Sequence, residues 1–539
     1  MKKLTVLCLL LATAATVCGK TKPAPDQQIR ETMKKATHYM MDVASYNGGF
    51  VWSYLPDLSR QWGEMEAKRT MVWIQPPGTP AVGHLMLDAY HATGDEYYYE
   101  CAQKIAAALI WGQLPCGGWN YMFDFAGENS TREWYATVGK SAWRLEEFQH
   151  YYGNATFDDS GTMEAAKFLL RIYVEKYDPA YRQPLEKCIN LVLTSQYPIG
   201  GWPQRYPLMF DHPFMGLPDY SSFITLNDDV IPENIDFLIQ CYQVLGMQNL
   251  KEPIIRAMNC VKVLQQGAPY AGWGDQYTVN DLKPAHARSY EPRAINTATT
   301  GQMVRKLIEY YRLTGDTKYL LGIPAAIDFL ESMKLPQSEV ERWGRPSRDP
   351  DAILVPRFID PDDGKPLYVH RKGSNVVNGT YYTDQNIENT IGHYSSAAYI
   401  NIKALRKAYE DILAMPREEA TAGSPLLITE AVALDKYYHK PRAFRGYPGE
   451  QEPQGVEALV SSLTSEGYWL SPIRQISNPY KSIPQMEASN ETKYMQTMCG
   501  DEYDTSPYTP EQEVLGISTR TFLDNMTRLI ATLASDENR

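Results

Sequence analysis

An all-α fold, an α/α toroid of repeated helical hairpins, follows from three recurring features of the sequence. An apolar, helix-like stretch ending near a tyrosine returns four times, at Tyr90, Tyr173, Tyr242 and Tyr310. A short polar turn follows it, "ATGDEYY" or "LTGDTKY", and then a second amphipathic stretch. Three of the four units close on a glycine–tryptophan motif: "PCGGW", "PIGGW" and "YAGW". In these units tyrosine and tryptophan stand 29, 29 and 31 residues apart, from Tyr90 to Trp119, Tyr173 to Trp202 and Tyr242 to Trp273. A fixed period of this kind marks a repeat architecture in which each hairpin needs neighbours to cover its apolar face.

Taken in chain order, residues 1–20 read as a secretory signal. Lys2 and Lys3 precede the apolar run "LTVLCLLLATAATV" and a polar stretch begins at Gly19. Secretion to the periplasm or cell surface is therefore expected; a lipid anchor at Cys18 is the lesser alternative, because Val17 fits a lipoprotein cleavage site poorly. Residues 21–154 hold the N-terminal hairpin repeats, with "MKKATHYMMDVASYNGGF" as the second helix of an early unit. Residues 155–414 form the toroid core. In the TGD turns of both segments glycine suits the end of one helix and aspartate the start of the next. Residues 356–373, "PRFIDPDDGKPLYVHRKG", alternate as a small β-hairpin insertion turning at "PDDG". Residues 415–539 are rich in Pro and Tyr and read as an extended wrap packing on the toroid, ending in the helix "TRTFLDNMTRLIATLAS".

Composition narrows the partners. The 539 residues are 44% hydrophobic and 22% charged, as in an ordinary globular chain. A net charge of −12 argues against nucleic acid or an anionic membrane. No stretch after the signal is apolar enough to cross a bilayer, and a monomer is expected. Six cysteines lie beyond the signal with no CxxC pair, which reads as buried thiols rather than a zinc site.

Four polar clusters fall in the loops at the hairpin ends. "FDDSGT" brings Asp158 and Asp159 ahead of one helix, and "LNDDVIPEN" brings Asp228 and Asp229 ahead of the next. Either pair would serve as a helix cap. Equivalent places in successive units also make them neighbours around one rim, where their carboxylates offer hard oxygen ligands for calcium. "KPAHARSYE" carries Lys283, Arg288 and Tyr290, and the hairpin carries Arg357 and Arg371. Solvated loops explain these as well; arginines on one rim also suit bidentate grip of carboxylates. Carboxylates, arginines and 12% aromatics on a secreted toroid suit a uronic-acid polysaccharide.

In order and spacing these motifs resemble the family-10 pectate lyases. The matching strings are "DDSGT" leading to "FLLRIY", then "QYPIGGWPQRYP", "LNDD", "KPAHARSYE", "PRFID" and "HRKG", spanning about residues 155–375. The resemblance implies a helical toroid and makes 155–414 a lyase-like core. It implies calcium-assisted β-elimination of polygalacturonate or a related acidic polysaccharide. Arg288 would be the base at the sugar C5 proton. Arg357, Arg371, Lys283 and Tyr290 would bind substrate, and Asp158, Asp159, Asp228 and Asp229 would hold Ca2+. Departures from the family pattern include Asp159, where the family has asparagine, and "RKG" in place of "RDG". Two other readings of the same residues stay open: an inverting glycoside hydrolase using Asp228 with Asp158 or Asp159, and a non-catalytic glycan-binding protein.

Overall fold

Helical hairpins dominate the computed structural model, which describes residues 26–141, 146–210, 212–213, 216–372, 380–388, 390–391, 395–428, 431–442, 454–473 and 514–536. In chain order the helices are α1 (Asp26–Tyr39), α2 (Thr79–Thr93), α3 (Glu96–Gly112), α4 (Glu128–Thr137), α5 (Gly161–Lys176), α6 (Pro179–Ser195), α7 (Val230–Leu245) and α8 (Lys251–Val263). There follow α9 (Thr297–Thr314), α10 (Ile323–Ser332), α11 (Gln337–Trp343), α12 (Ile402–Ala414), α13 (Arg417–Ala420), α14 (Val456–Ser462) and α15 (Thr519–Asp536). The four repeat units are the hairpins α2/α3, α5/α6, α7/α8 and α9/α10. Their first helices pack in succession, α2 on α5 and α5 on α7; α8 then meets α9, and α9 meets α12.

The turns form as their residues dictate. Gly94 and Gly315 end α2 and α9 in the left-handed region, at φ 68° and 67°. The aspartates that follow cap the next helical turn: Asp95 accepts from the Tyr97 N–H and Asp316 from the Lys318 N–H. The second unit lacks the glycine; Tyr177 takes the left-handed position at φ 51° and Asp178 caps α6.

Each glycine–tryptophan motif ties one unit to the next. Trp119, Trp202 and Trp273 are fully buried, and their indole N–H groups donate to the carbonyls of Leu109, Val192 and Val261. Just upstream, Gln113 donates to the carbonyls of Gly117 and Pro184, Gln196 to those of Gly200 and Pro253, and Gln265 to those of Ala271 and Gly322. The second partner in each pair belongs to the following unit.

The fold is not all-α. The predicted hairpin is present, Phe358–Ile359 against Pro366–Lys372, but it belongs to a four-stranded sheet with Ile295–Asn296 and Thr380–Asp384. Further small sheets lie among the loops, such as Ala155–Thr156 with Arg205–Tyr206, and Ile224–Thr225 with Gln276–Tyr277 and Pro284–Ala285. Most of these strands are two residues long, too short to show an alternating pattern in the sequence. They brace the loops that carry the polar motifs.

The signal segment and Cys18 lie outside the described residues, as do Cys499 and much of the tail. The described cysteines are free thiols. The tail does more than wrap. Leu515–Ser518 pairs with Ser53–Tyr54, and α15 packs on α1 and α2. Residues 436–439 run between α2 and α5, where buried Asp88 accepts from the N–H groups of Tyr438 and His439. The Tyr438 ring stacks on His84 at 3.6 Å.

Candidate functional site

Two tight turns enter α5 and α7 in the same strained way. Asp159 and Ser160 have φ of 50° and 59°, and Asp228 and Asp229 have 53° and 57°. Consecutive left-handed non-glycine residues cost energy, and the two turns sit side by side. The strain places Asp158, Asp159 and Asp228 in one cleft.

Arg288 organises that cleft. It is only 2% exposed. Its Nε donates to Glu147 at 2.9 Å, Nη2 to Asp158 at 2.9 Å and Nη1 to Glu291 at 3.2 Å, while Asp228 lies 4.0 Å from Nη1. Fully buried Asp158 is saturated: Oδ2 also accepts from the Tyr121 hydroxyl at 2.5 Å, and Oδ1 from Gln204 at 3.2 Å. Asp159 accepts from Gln75 at 2.7 Å, and Asp228 from Asn227 at 2.5 Å. Glu146 accepts from the Ser289 N–H at 3.0 Å and from its hydroxyl.

Carboxylates outnumber cations here, and the electrostatics show it. Asp159 is open to solvent, yet it sits at the floor of a crowded cleft; desolvation first and Asp158 second push its carboxyl up to about 7. Crowding and then Asp158 and Asp159 raise Asp228 well above the usual carboxylate range. Burial also opposes ionisation of Asp158, but Arg288, Asp228 and Tyr121 outweigh it and hold this carboxyl low. Burial pushes Glu146 up to about 8. Asp158 and Asp228 are in direct side-chain contact, which lowers the carboxyl of Asp158 and raises that of Asp228.

Other expected site residues stand elsewhere. Asp229 turns away from Arg288, accepts from Gln302 and lines a cavity between α7 and α9 with Glu233 and Lys306. Successive left-handed residues point the two aspartates of this turn in different directions. Tyr290 is fully buried in a small core with Phe358, Val369 and Ile391, which removes it from any substrate surface. Lys283 is 70% exposed and pairs with Asp281 at 3.5 Å, outside the cleft. Arg357 is half-buried beside the start of α9, its carbonyl accepting from the Thr297 N–H and its Nε without a partner among the described residues. The backbone of Arg371 pairs with Tyr381; its side chain lies outside the described residues. Among the described residues no three His, Cys, Asp or Glu side chains stand as a ready-made metal set.

Tyr121, Glu146, Glu147, Gln204, Gln75 and Glu291 complete the cleft. Gln204 and Glu291 stand inside the motifs "GGWPQ" and "KPAHARSYE", which was the available signal. Glu146 and Glu147 come from a stretch with no motif.

A buried arginine ringed by carboxylates, in loops at the ends of helical hairpins, is the site that a family match encloses. Residues 125–389 match the family model described as pectic acid lyase, and the chain is a pectate-lyase-like enzyme. The match holds Arg288 and every acidic residue of the cleft. No curated protein matches the chain. Among solved structures, the family 10 polysaccharide lyase from Cellvibrio cellulosa is similar at 16% identity, covering 64% of this chain and 92% of that one, with a TM-score of 0.37. A mutant of that lyase in complex with trigalaturonic acid gives 15% identity, 64% and 93% coverage and a TM-score of 0.37. An α-1,6-mannanase from Salegentibacter sp. HEL1_6 gives 11% identity, 96% and 100% coverage and a TM-score of 0.36.

Proposed function

We propose that the protein is a secreted lyase that cleaves pectate or a related uronic-acid polysaccharide by calcium-assisted β-elimination. The observation that carries this reading is the Arg288–carboxylate cleft lying inside the residues that match the pectic acid lyase family model. We read the hairpin arc as an α/α toroid that presents the cleft at one end, and the protein as a monomer. None of the described helices is long and apolar enough to cross a membrane.

Calcium suits the donor chemistry: hard carboxylate oxygens, a surplus of negative charge, and two aspartates whose crowding raises their pKa and would be relieved by a cation. Asp159 and Asp228 would hold it, since both oxygens of Asp158 already serve protein donors. When bound, calcium would neutralise carboxylate charge and favour an enolate-like anion at the sugar.

The C5 proton of a uronate is weakly acidic and needs both a base and charge stabilisation. Glu147, Asp158 and Glu291 favour the charged form of Arg288, as opposite charges do. Its use as the base therefore requires those carboxylates to be compensated, and activity should depend steeply on added cation. Arg357 and Arg371 would grip sugar carboxylates.

The test is ultraviolet absorbance of unsaturated products from polygalacturonate and other uronans, with and without chelator. Absorbance that rises with calcium and stops with chelator is expected; saturated products with new reducing ends would sink the lyase reading. The hydrolase alternative fares worse on geometry. Inverting carboxyl pairs stand about 6.5–9.5 Å apart to admit water; Asp158 and Asp228 are in direct contact, which leaves only the pairing of Asp159 with Asp228 for a hydrolase.

A further inference from the structure

Trp111 sits at the last turn of α3 with 53% of its surface exposed. Phe125 packs beside it at 4.5 Å between ring centroids and Phe123 at 5.6 Å. Tyr46 extends the row, 5.8 Å from Phe125. The strand Met122–Asp124 sets this up: Met122 and Asp124 are buried, while Phe123 and the following Phe125 face outward. A lone exposed aromatic needs no explanation, but an exposed ring that continues into three half-buried ones does.

Two cations frame the rings. The Arg69 guanidinium lies 5.5 Å over Tyr46 and donates to the carbonyls of Val43 and Ser45. Lys104 is exposed on α3, two turns before Trp111. Among the described residues neither has a carboxylate within ion-pair distance. On a chain of net charge −12, two cations free of ion pairs beside exposed aromatic surface set this patch apart.

We propose that this platform, outside the cleft, is a docking surface for an acidic polysaccharide chain. Flat aromatic faces cover the C–H face of a pyranose ring, and the adjacent cations take its carboxylates. Charge complementarity selects a uronan over a neutral glycan or a second copy of this acidic chain. The platform strand directly follows Tyr121, the partner of Asp158, so a polymer held there lies close to the cleft. The acidic character of the polymer rests on the function proposed above.

Native electrophoresis through gels containing polygalacturonate, or neutral hydroxyethyl cellulose, tests the platform without needing turnover. The wild-type protein should be retarded by polygalacturonate and not by the neutral polymer. The Trp111→Ala/Phe125→Ala double variant should lose about tenfold in apparent affinity, or about 1.4 kcal/mol, with turnover of a short oligogalacturonide unchanged. Arg69→Gln/Lys104→Gln removes both charges, and with them the Arg69 bonds to the Val43 and Ser45 carbonyls; it should lose retardation while circular dichroism still shows a folded protein. Unchanged retardation of both double variants, or equal retardation by the neutral polymer, would overturn the proposal. So would light scattering showing a wild-type dimer that the Trp111 variant breaks, since the platform would then serve self-association. Retardation in a wild-type protein that releases no unsaturated product would sink the lyase reading and leave the platform standing.

Discussion

Arg288 is both the proposed reacting group and a keystone of the fold, and the two roles separate by substitution. Its three guanidinium nitrogens face Glu147, Asp158 and Glu291, all of them buried. Arg288→Ala would leave these carboxylates uncompensated, which typically costs about 3–5 kcal/mol; its melting curve should fall along with its activity. Arg288→Lys keeps a charge but not the planar fork, so it should fold while kcat drops by about 10²–10⁴. Near-normal turnover in the lysine variant would remove Arg288 from the chemistry. The adjacent aspartates give a sharper contrast. Asp228 sits in the cleft and Asp229 in the separate cavity between α7 and α9. Asp228→Asn should abolish calcium-dependent product formation, whereas Asp229→Asn should retain it; equal losses would contradict this division. The sequence could nominate all four aspartates by motif, but not which way two left-handed residues turn their side chains. Nor could it find Glu146 and Glu147, whose contacts with Ser289 and Arg288 span more than a hundred residues.

At the level of elements, the glycine–tryptophan motif is mainly a joint. Trp202 is fully buried, donates to the Val192 carbonyl at 2.7 Å, and has counterparts in Trp119 and Trp273 with the same bond. Trp202→Ala should cost about 3–5 kcal/mol in urea unfolding, and Trp119→Ala should cost as much although no cleft residue lies within its "CGGW" string. A Trp202 variant that unfolds like the wild type would refute the joint. Gly200 adds a steric reason. Its φ is 113°, and a Cβ there would meet the Arg256 carbonyl oxygen at 2.3 Å, so even alanine should destabilise the protein. The hairpins were legible because apolar residues recur at helical spacing over many turns, and TGD spells out a helix end and a cap. The small sheets were not, because two-residue strands are made by pairing with distant loops. The copy of the motif at Trp202 differs only downstream, where Gln204 reaches Asp158 and Arg205, 1% exposed, lies between the rings of Tyr121 and Tyr152.

Across the whole molecule, the tail stitches the first two repeat units together, and a titrating residue lies on the seam. His91 of α2 has acceptors at both ring nitrogens: Glu175 of α5 at 2.7 Å from Nε2 and the Lys436 carbonyl of the tail at 2.7 Å from Nδ1. Only the protonated ring can donate to both. Burial opposes that charge, but Glu175 and the carbonyl together outweigh it and raise the His91 pKa. His91 in turn, as the leading cause, lowers that of Glu175. The signs follow by linkage. The raised His91 contributes stability that is fully present below its unfolded value of about 6.5 and is lost as pH climbs through the higher folded value. The depressed Glu175 contributes above its unfolded value of about 4.3 and is lost as pH falls through the lower folded one. Both contributions overlap in mildly acidic solution, so His91→Gln, which cannot carry the charge, should destabilise the protein more at about pH 5.5 than at about pH 8.5. Urea unfolding of both proteins at the two pH values measures this. A penalty that stays constant, or grows at the higher pH, would mean that His91 holds the seam as a neutral ring and that the tail is not fastened by charge.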